Sequence, residues 1–256
     1  MKTVKSADGT LIAYEKTGEG PPLVLVHGTT ADHTHWEMVL PLLAEHFTVY
    51  VIDRRGRGKS GDAADYRAEQ EFEDVAAVVD MIDEPVILLG HSYGGFISLE
   101  AALRTENLKK LILYEPQGFH DEDPEIVAEI EAVLNQGENE KALILFLEKL
   151  VGISANEIDI FRETPQWNVM VNAAPTLPRE LKALTEYRFE AARFKDLTIP
   201  TMLLYGSESL LLDIEPTKML DITFPESLLI ELEGQAHNAM TTAPVLFAEK
   251  VINFAR

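Results

Sequence analysis

The chain has 256 residues, 46% of them hydrophobic, enough for one large domain with its own core. It carries 22 basic against 43 acidic residues, and a net charge of −21 repels a phosphate backbone and argues against nucleic acid as a partner. With no cysteine, disulfides, thiolate nucleophiles and cysteine-based metal sites are excluded.

In chain order, Asp8-Gly9 between two short alternating runs predicts a β-hairpin over residues 4–14. An apolar strand at 23–26 follows, then a helical segment near 36–45 and a strand at 47–52. A helix from about 68 to 82 places Phe72, Val75, Val79 and Ile82 on one face. Strands alternating with helices in this way imply a parallel sheet. The run 86–89 is a further strand, joined by Gly90-His91-Ser92-Tyr93-Gly94-Gly95 to a helix over 94–103, and another strand follows at 108–114. From about 121 to 193 only helical periodicity is present, broken by Gly137, Gly152, Pro165, Pro175 and Pro178. Strand patterning resumes at 199–205 and 228–232, and a helix over 243–254 closes the chain. The helical block reads as an insertion between two strands of one sheet, with a core of 1–118 and 196–256 and a helical cap of 119–195. Apolar runs are strand-length and too short to span a membrane. The N-terminus lacks the apolar stretch of a secretory signal, so a cytoplasmic location without a membrane partner is expected.

Ser92 lies between Gly90 and Gly94, where side chains would crowd a tight strand-to-helix turn; this is the pattern of a nucleophile elbow. A serine hydroxyl needs a base to take its proton as it attacks. His237, in Gly234-Gln235-Ala236-His237 after the last strand, is the candidate, whereas His27 and His91 flank glycines inside motifs and His33 and His35 follow the loop after the 23–26 strand. Charge developing on a substrate oxygen calls for two backbone N–H groups, of which Tyr93 N–H at the helix start is one.

Taken together, Val26-His27-Gly28-Thr29, Asp53-Arg54-Arg55-Gly56-Arg57-Gly58-Lys59-Ser60, the Ser92 elbow and Gly234-Gln235-Ala236-His237 resemble the α/β-hydrolase superfamily along essentially the whole chain. The resemblance implies an α/β-hydrolase fold: a mostly parallel, twisted eight-stranded sheet flanked by helices, with a helical cap. It implies the order serine, acid, histidine, a second oxyanion donor in Thr29 N–H, and a structural rather than phosphate-binding role for the loop 53–60. Most relatives carry an aspartate three residues after the glycine ending the 199–205 strand, but here Gly206 is followed by Ser207, Glu208 and Ser209. The acid expected instead is Glu115, at the end of the 108–114 strand, where some members of the superfamily carry theirs. A carboxylate there is costly to bury without a partner, and a histidine would be one. Glu208 and Asp213 are the competing acids.

In such a fold the insertion would roof the serine, which makes Trp167, Phe146 and Met170 candidates for an apolar substrate pocket, with Phe119 and Met240 as further wall candidates. Thr164-Pro165-Gln166-Trp167 and Gly206-Ser207-Glu208-Ser209 also resemble a group of poorly characterised bacterial-type α/β hydrolases. The expected function is hydrolysis of a small, largely apolar carboxylic ester or lactone through an acyl-enzyme on Ser92, His237 and Glu115. No cofactor and no metal is implied, and a monomer or homodimer acting on a small molecule is expected. Carbon–carbon bond hydrolysis or cofactor-free perhydrolysis would use the same residues, and a receptor that binds a ligand with little turnover is the reading from another class.

Overall fold

The computed structural model describes residues 1–118, 123–224 and 226–256, without the side chains of 211–213; Phe119 and the Asp213 side chain lie outside the described residues. Successive residues of a strand face opposite sides of a sheet, so a strand apolar at every position must be covered on both faces. The central strands obey this rule. Val24, Val26, Leu88, Leu111, Leu113 and Leu203 fall in one buried cluster, and Leu23, Leu25, Ile87, Leu89, Ile112, Met202 and Leu204 in another. The eight strands are β1 (Lys2–Lys5), β2 (Leu11–Thr17), β3 (Pro22–Val26), β4 (Thr48–Ile52), β5 (Val86–His91), β6 (Leu108–Tyr114), β7 (Thr201–Gly206) and β8 (Leu228–Leu232), in the order β1-β2-β4-β3-β5-β6-β7-β8. β1 and β2 are antiparallel, as is the β2–β4 pair, while β3 to β8 run parallel.

The helices are α1 (Leu40–Ala44), α2 (Ala68–Asp80), α3 (Tyr93–Ala101), α4 (Pro124–Leu134), α5 (Asn139–Lys149), α6 (Ala155–Arg162), α7 (Gln166–Ala173), α8 (Leu177–Glu186), α9 (Leu211–Thr223), α10 (Ala239–Thr242) and α11 (Pro244–Ala255). Phe72, Val75 and Val79 of α2 and Phe96 of α3 cover one face of the sheet; Leu43, Phe247 and Val251 of α1 and α11 cover the other. Helices α4 to α8 lie between β6 and β7 and bury a cluster of their own that includes Ile130, Leu143, Leu147, Ile158, Trp167 and Leu181. No helix among the described residues is long and apolar enough to cross a membrane.

Some segments differ from the sequence pattern. The helix expected near 36–45 is a 3₁₀ turn, His33–Trp36, followed by α1, because Pro41 has no N–H to donate and fits only the first turn of a new helix. α9 was not apparent in the sequence, since Pro216 in its interior interrupts the helical pattern.

After β3 the chain moves to β4 on one side and returns to β5 on the other, so the connections leaving β3 and β5 diverge. A crevice opens at the carboxyl ends of strands where such a reversal occurs, and ligands bind there in open α/β sheets.

Candidate active site

Ser92 follows β5 at that reversal, with φ 55° and ψ −127°, a conformation that L-residues rarely adopt. The turn holds because its neighbours leave room. A Cβ on Gly94 would stand 2.4 Å from the Val26 and His27 carbonyl oxygens, and one on Gly90 would stand 2.4 Å from Gly94 O. The Ser92 N–H donates to Tyr114 O at 2.9 Å, and Ser92 O accepts from Gly95 N–H at 2.8 Å. Among the described residues, three other than glycine have positive φ: Thr30, Ser92 and Glu115. They follow β3, β5 and β6, so backbone strain is concentrated at one end of the sheet, as at functional sites.

Glu115 is fully buried. Its Oε2 lies 2.5 Å from His237 Nδ1, while Oε1 accepts from Gly206 N–H at 2.7 Å and from the Ser209 hydroxyl at 2.5 Å. Three donors converge on one carboxylate, which supplies the compensation a buried charge requires. Ser209 occupies the position where relatives were expected to carry aspartate, and here it donates a hydrogen bond to the acid on the neighbouring strand. The only sequence trace of that role is a hydroxyl at the vacated position. Glu208 is exposed.

The loop bearing His237 is fastened from below. The buried Tyr114 hydroxyl donates to Ala236 O and accepts from Ala239 N–H at 3.2 Å. His91 Nε2 lies 2.8 Å from His237 O, and the two rings are 4.5 Å apart between centroids, which sets His237 beside the residue preceding Ser92. To donate at Nε2, a neutral His91 must accept at Nδ1, and His35 Nε2 lies 3.2 Å from that atom with its ring stacked on His91. Burial first, and the neighbouring His237 second, push His91 well below the usual histidine range and His35 down to about 4, so both rings are neutral at pH 7.

Tyr93 is the first residue of α3, so its N–H has no partner within the helix. Gly28 packs on Ser92 so closely that a Cβ would stand 3.3 Å from Oγ, which puts the Gly28–Thr29 peptide alongside the serine. Trp167 is buried in the core of the helical insertion, with Nε1 3.3 Å from Glu140, and Phe146 and Met170 pack partly against that core. Met240 is buried beneath the sheet with Phe247 and Leu232.

The arginines of the loop 53–60 are occupied by carboxylates, Arg55 by Asp74 and Asp8, Arg54 by Glu71 and Glu180, and Arg57 by Glu180. Asp53 accepts from Lys59 N–H at 2.8 Å and lies 2.7 Å from His33 Nδ1. Asp32, His33 and Asp53 bring ligand atoms within 4.8 Å of one another, a grouping able to hold a metal ion that no local motif announces.

A family model described as the alpha/beta hydrolase family matches residues 23–250. An alpha/beta hydrolase from Sphaerobacter thermophilus superposes with a TM-score of 0.89 at 33% identity, covering 100% of both chains. An esterase from a Rhodococcus species does so with a TM-score of 0.81 at 25% identity, covering 99% of this chain and 97% of the other. A pimeloyl-[acyl-carrier protein] methyl ester esterase from Aeromonas hydrophila is 29% identical over 257 residues, 95% of this chain and 98% of that protein.

Proposed function

The chain belongs to the alpha/beta hydrolase family, and on that premise we propose that it is a serine hydrolase of small, largely apolar carboxylic esters or lactones. The observation that carries the reading is the Glu115–His237 contact beside a strained Ser92. With the imidazole proton held on Nδ1 by Glu115, Nε2 is the nitrogen that accepts the Ser92 proton as Oγ attacks the acyl carbon. Glu115 stabilises the imidazolium that forms, and the Thr29 and Tyr93 N–H groups receive the oxyanion. Collapse of the tetrahedral intermediate breaks the bond to the alcohol, which leaves with the proton from His237. Water activated by the same ring then attacks the acyl-enzyme and releases the acid, freeing Ser92.

Two relatives support ester chemistry, the methyl ester esterase at 29% identity and the esterase at 25%. On this reading helices α4 to α8 form a cap above the serine, and an apolar roof there would favour an uncharged acyl group. Steady-state hydrolysis of p-nitrophenyl esters from acetate to octanoate, alongside a small lactone, tests the reading. Turnover that falls at least about 10³-fold in Ser92→Ala is expected. Equal turnover in that variant, or ligand binding with no hydrolysis of any ester or lactone, would overturn it.

A further inference from the structure

Two arginine and two glutamate side chains are buried beneath the Gly28–Thr29 loop, and one of them comes from the helical insertion. Arg54, just after β4, is gripped by Glu71 of α2 through Nε at 2.7 Å and Nη2 at 2.8 Å, and its Nη2 also donates to Glu180 of α8. Glu180 accepts in addition from Arg57. All four are at most 3% exposed, and two guanidinium groups balance two carboxylates. Burying such a set costs desolvation energy that apolar side chains of similar volume would avoid, so a stabilising role alone is weak grounds for it.

What the set does locally is fix one peptide group. Arg54 Nη1 donates to Gly28 O at 3.1 Å. His27 Nε2 accepts from Arg54 N–H at 3.1 Å, so the imidazole proton sits on Nδ1, which donates to the same carbonyl at 2.9 Å. Burial, reinforced by Arg54, holds His27 well below the usual histidine range and keeps it neutral. The Gly28–Thr29 peptide is trans and planar, so its C=O and N–H point in opposite directions, and fixing the carbonyl fixes the Thr29 N–H. A guanidinium on the carbonyl also polarises the peptide, which strengthens the N–H as a donor.

We propose that Glu180 is a positioning residue of the oxyanion site: carried on α8, it completes the grip on Arg54 that aims the Thr29 N–H. The placement of the oxyanion donor is thereby coupled to the seating of the insertion on the core. This inference rests on the serine-hydrolase reading above. Arg179, the adjacent residue, seats α8 by contacts of its own: Nη1 donates to both carboxylate oxygens of Asp62 at 2.8 and 2.9 Å, and Nη2 donates to Arg55 O at 3.2 Å. Glu180 can therefore be altered with that second attachment intact.

The test compares wild type, Glu180→Gln and the charge-balanced Glu180→Gln/Arg57→Gln in full-length protein. Active sites are counted by complete fluorophosphonate labelling, and p-nitrophenyl butyrate kinetics are expressed per labelled site. Removing an oxyanion donor outright costs about 10²–10³ in kcat, so loss of a residue that aims one is expected to lower kcat per labelled site about tenfold with KM within about twofold. Affinity for a boronic acid, which becomes tetrahedral on Ser92, is expected to fall by a similar factor. A purely structural role would instead lower the number of labelled sites and leave kcat per site unchanged. That result, or an absence of labelled sites in both variants, overturns the proposal. Ser92→Ala is measured in parallel: retained turnover there would defeat the serine reading itself, whereas lost turnover there with unchanged kcat in both Glu180 variants would defeat only the role of Glu180.

Discussion

Replacing Glu115 by glutamine is expected to lower kcat about 10³–10⁴-fold, with KM within about threefold. Glu115 Oε1 accepts from Gly206 N–H and the Ser209 hydroxyl, so the amide oxygen of glutamine takes that position. The amide NH₂ then faces His237 Nδ1, where Oε2 lies 2.5 Å away in the native protein. A donor there forces Nδ1 to accept, the ring proton moves to Nε2, and the nitrogen that should take the Ser92 proton is already protonated. The imidazolium also loses its carboxylate, so about 4–5.5 kcal/mol of transition-state stabilisation disappears. The assay is p-nitrophenyl butyrate turnover with near-UV circular dichroism as the control for folding. A folded Glu115→Gln protein with kcat within tenfold of wild type would refute the reasoning, most clearly if Glu208→Gln were the inactive variant instead.

Glu115→Gln/Ser209→Asp returns a carboxylate to the position where most relatives carry it, and kcat at least about tenfold above Glu115→Gln alone is expected. Ser209→Ala removes one of three donors to a buried carboxylate; a stability loss of about 1.5–3 kcal/mol in urea unfolding is expected, and an unchanged midpoint would contradict it. Gly94→Ala drives a Cβ against two backbone carbonyls that cannot swing aside, and a loss of at least about 3 kcal/mol, seen as little soluble protein or a much lower Tm, is expected. His35, held at about 4 by burial against an ordinary 6.5, refuses protons that the unfolded chain accepts between those values. Its contribution is therefore complete above pH 6.5 and lost as pH falls toward 4, and the drop in Tm between pH 7.5 and 5 should shrink in His35→Gln. An unchanged drop would show that His35 takes no part.

The sheet could be read from the sequence because its central strands are apolar on both faces, and runs such as Val86 to Leu89 admit few other structures. The Ser92 turn was equally legible, since Gly90 and Gly94 stand where backbone atoms approach within 2.4 Å of a hypothetical Cβ. Glu115 stood out as a carboxylate ending a buried strand, and the structure sets it against His237, 122 residues further along. Ser209 was harder to interpret, because a hydroxyl in place of an aspartate reads as a loss until its partner on β6 is located. Glu180 carried no local signal at all: on an otherwise amphipathic helix a glutamate reads as solvent-facing, yet it is fully buried against Arg54, 126 residues away in sequence. Long-range ion pairs depend on how the insertion sits on the core, and periodicity within α8 does not encode that.

The most direct test of nucleophilic catalysis by Ser92 is stopped-flow hydrolysis of p-nitrophenyl acetate combined with intact-mass analysis of the enzyme quenched in acid during turnover. A burst approaching one nitrophenolate per active site, with a mass gain of one acetyl group mapped to Ser92 and absent in Ser92→Ala, is the expected result. Steady hydrolysis of the ester by Ser92→Ala at the wild-type rate, or an acyl group mapped to another residue, would contradict it.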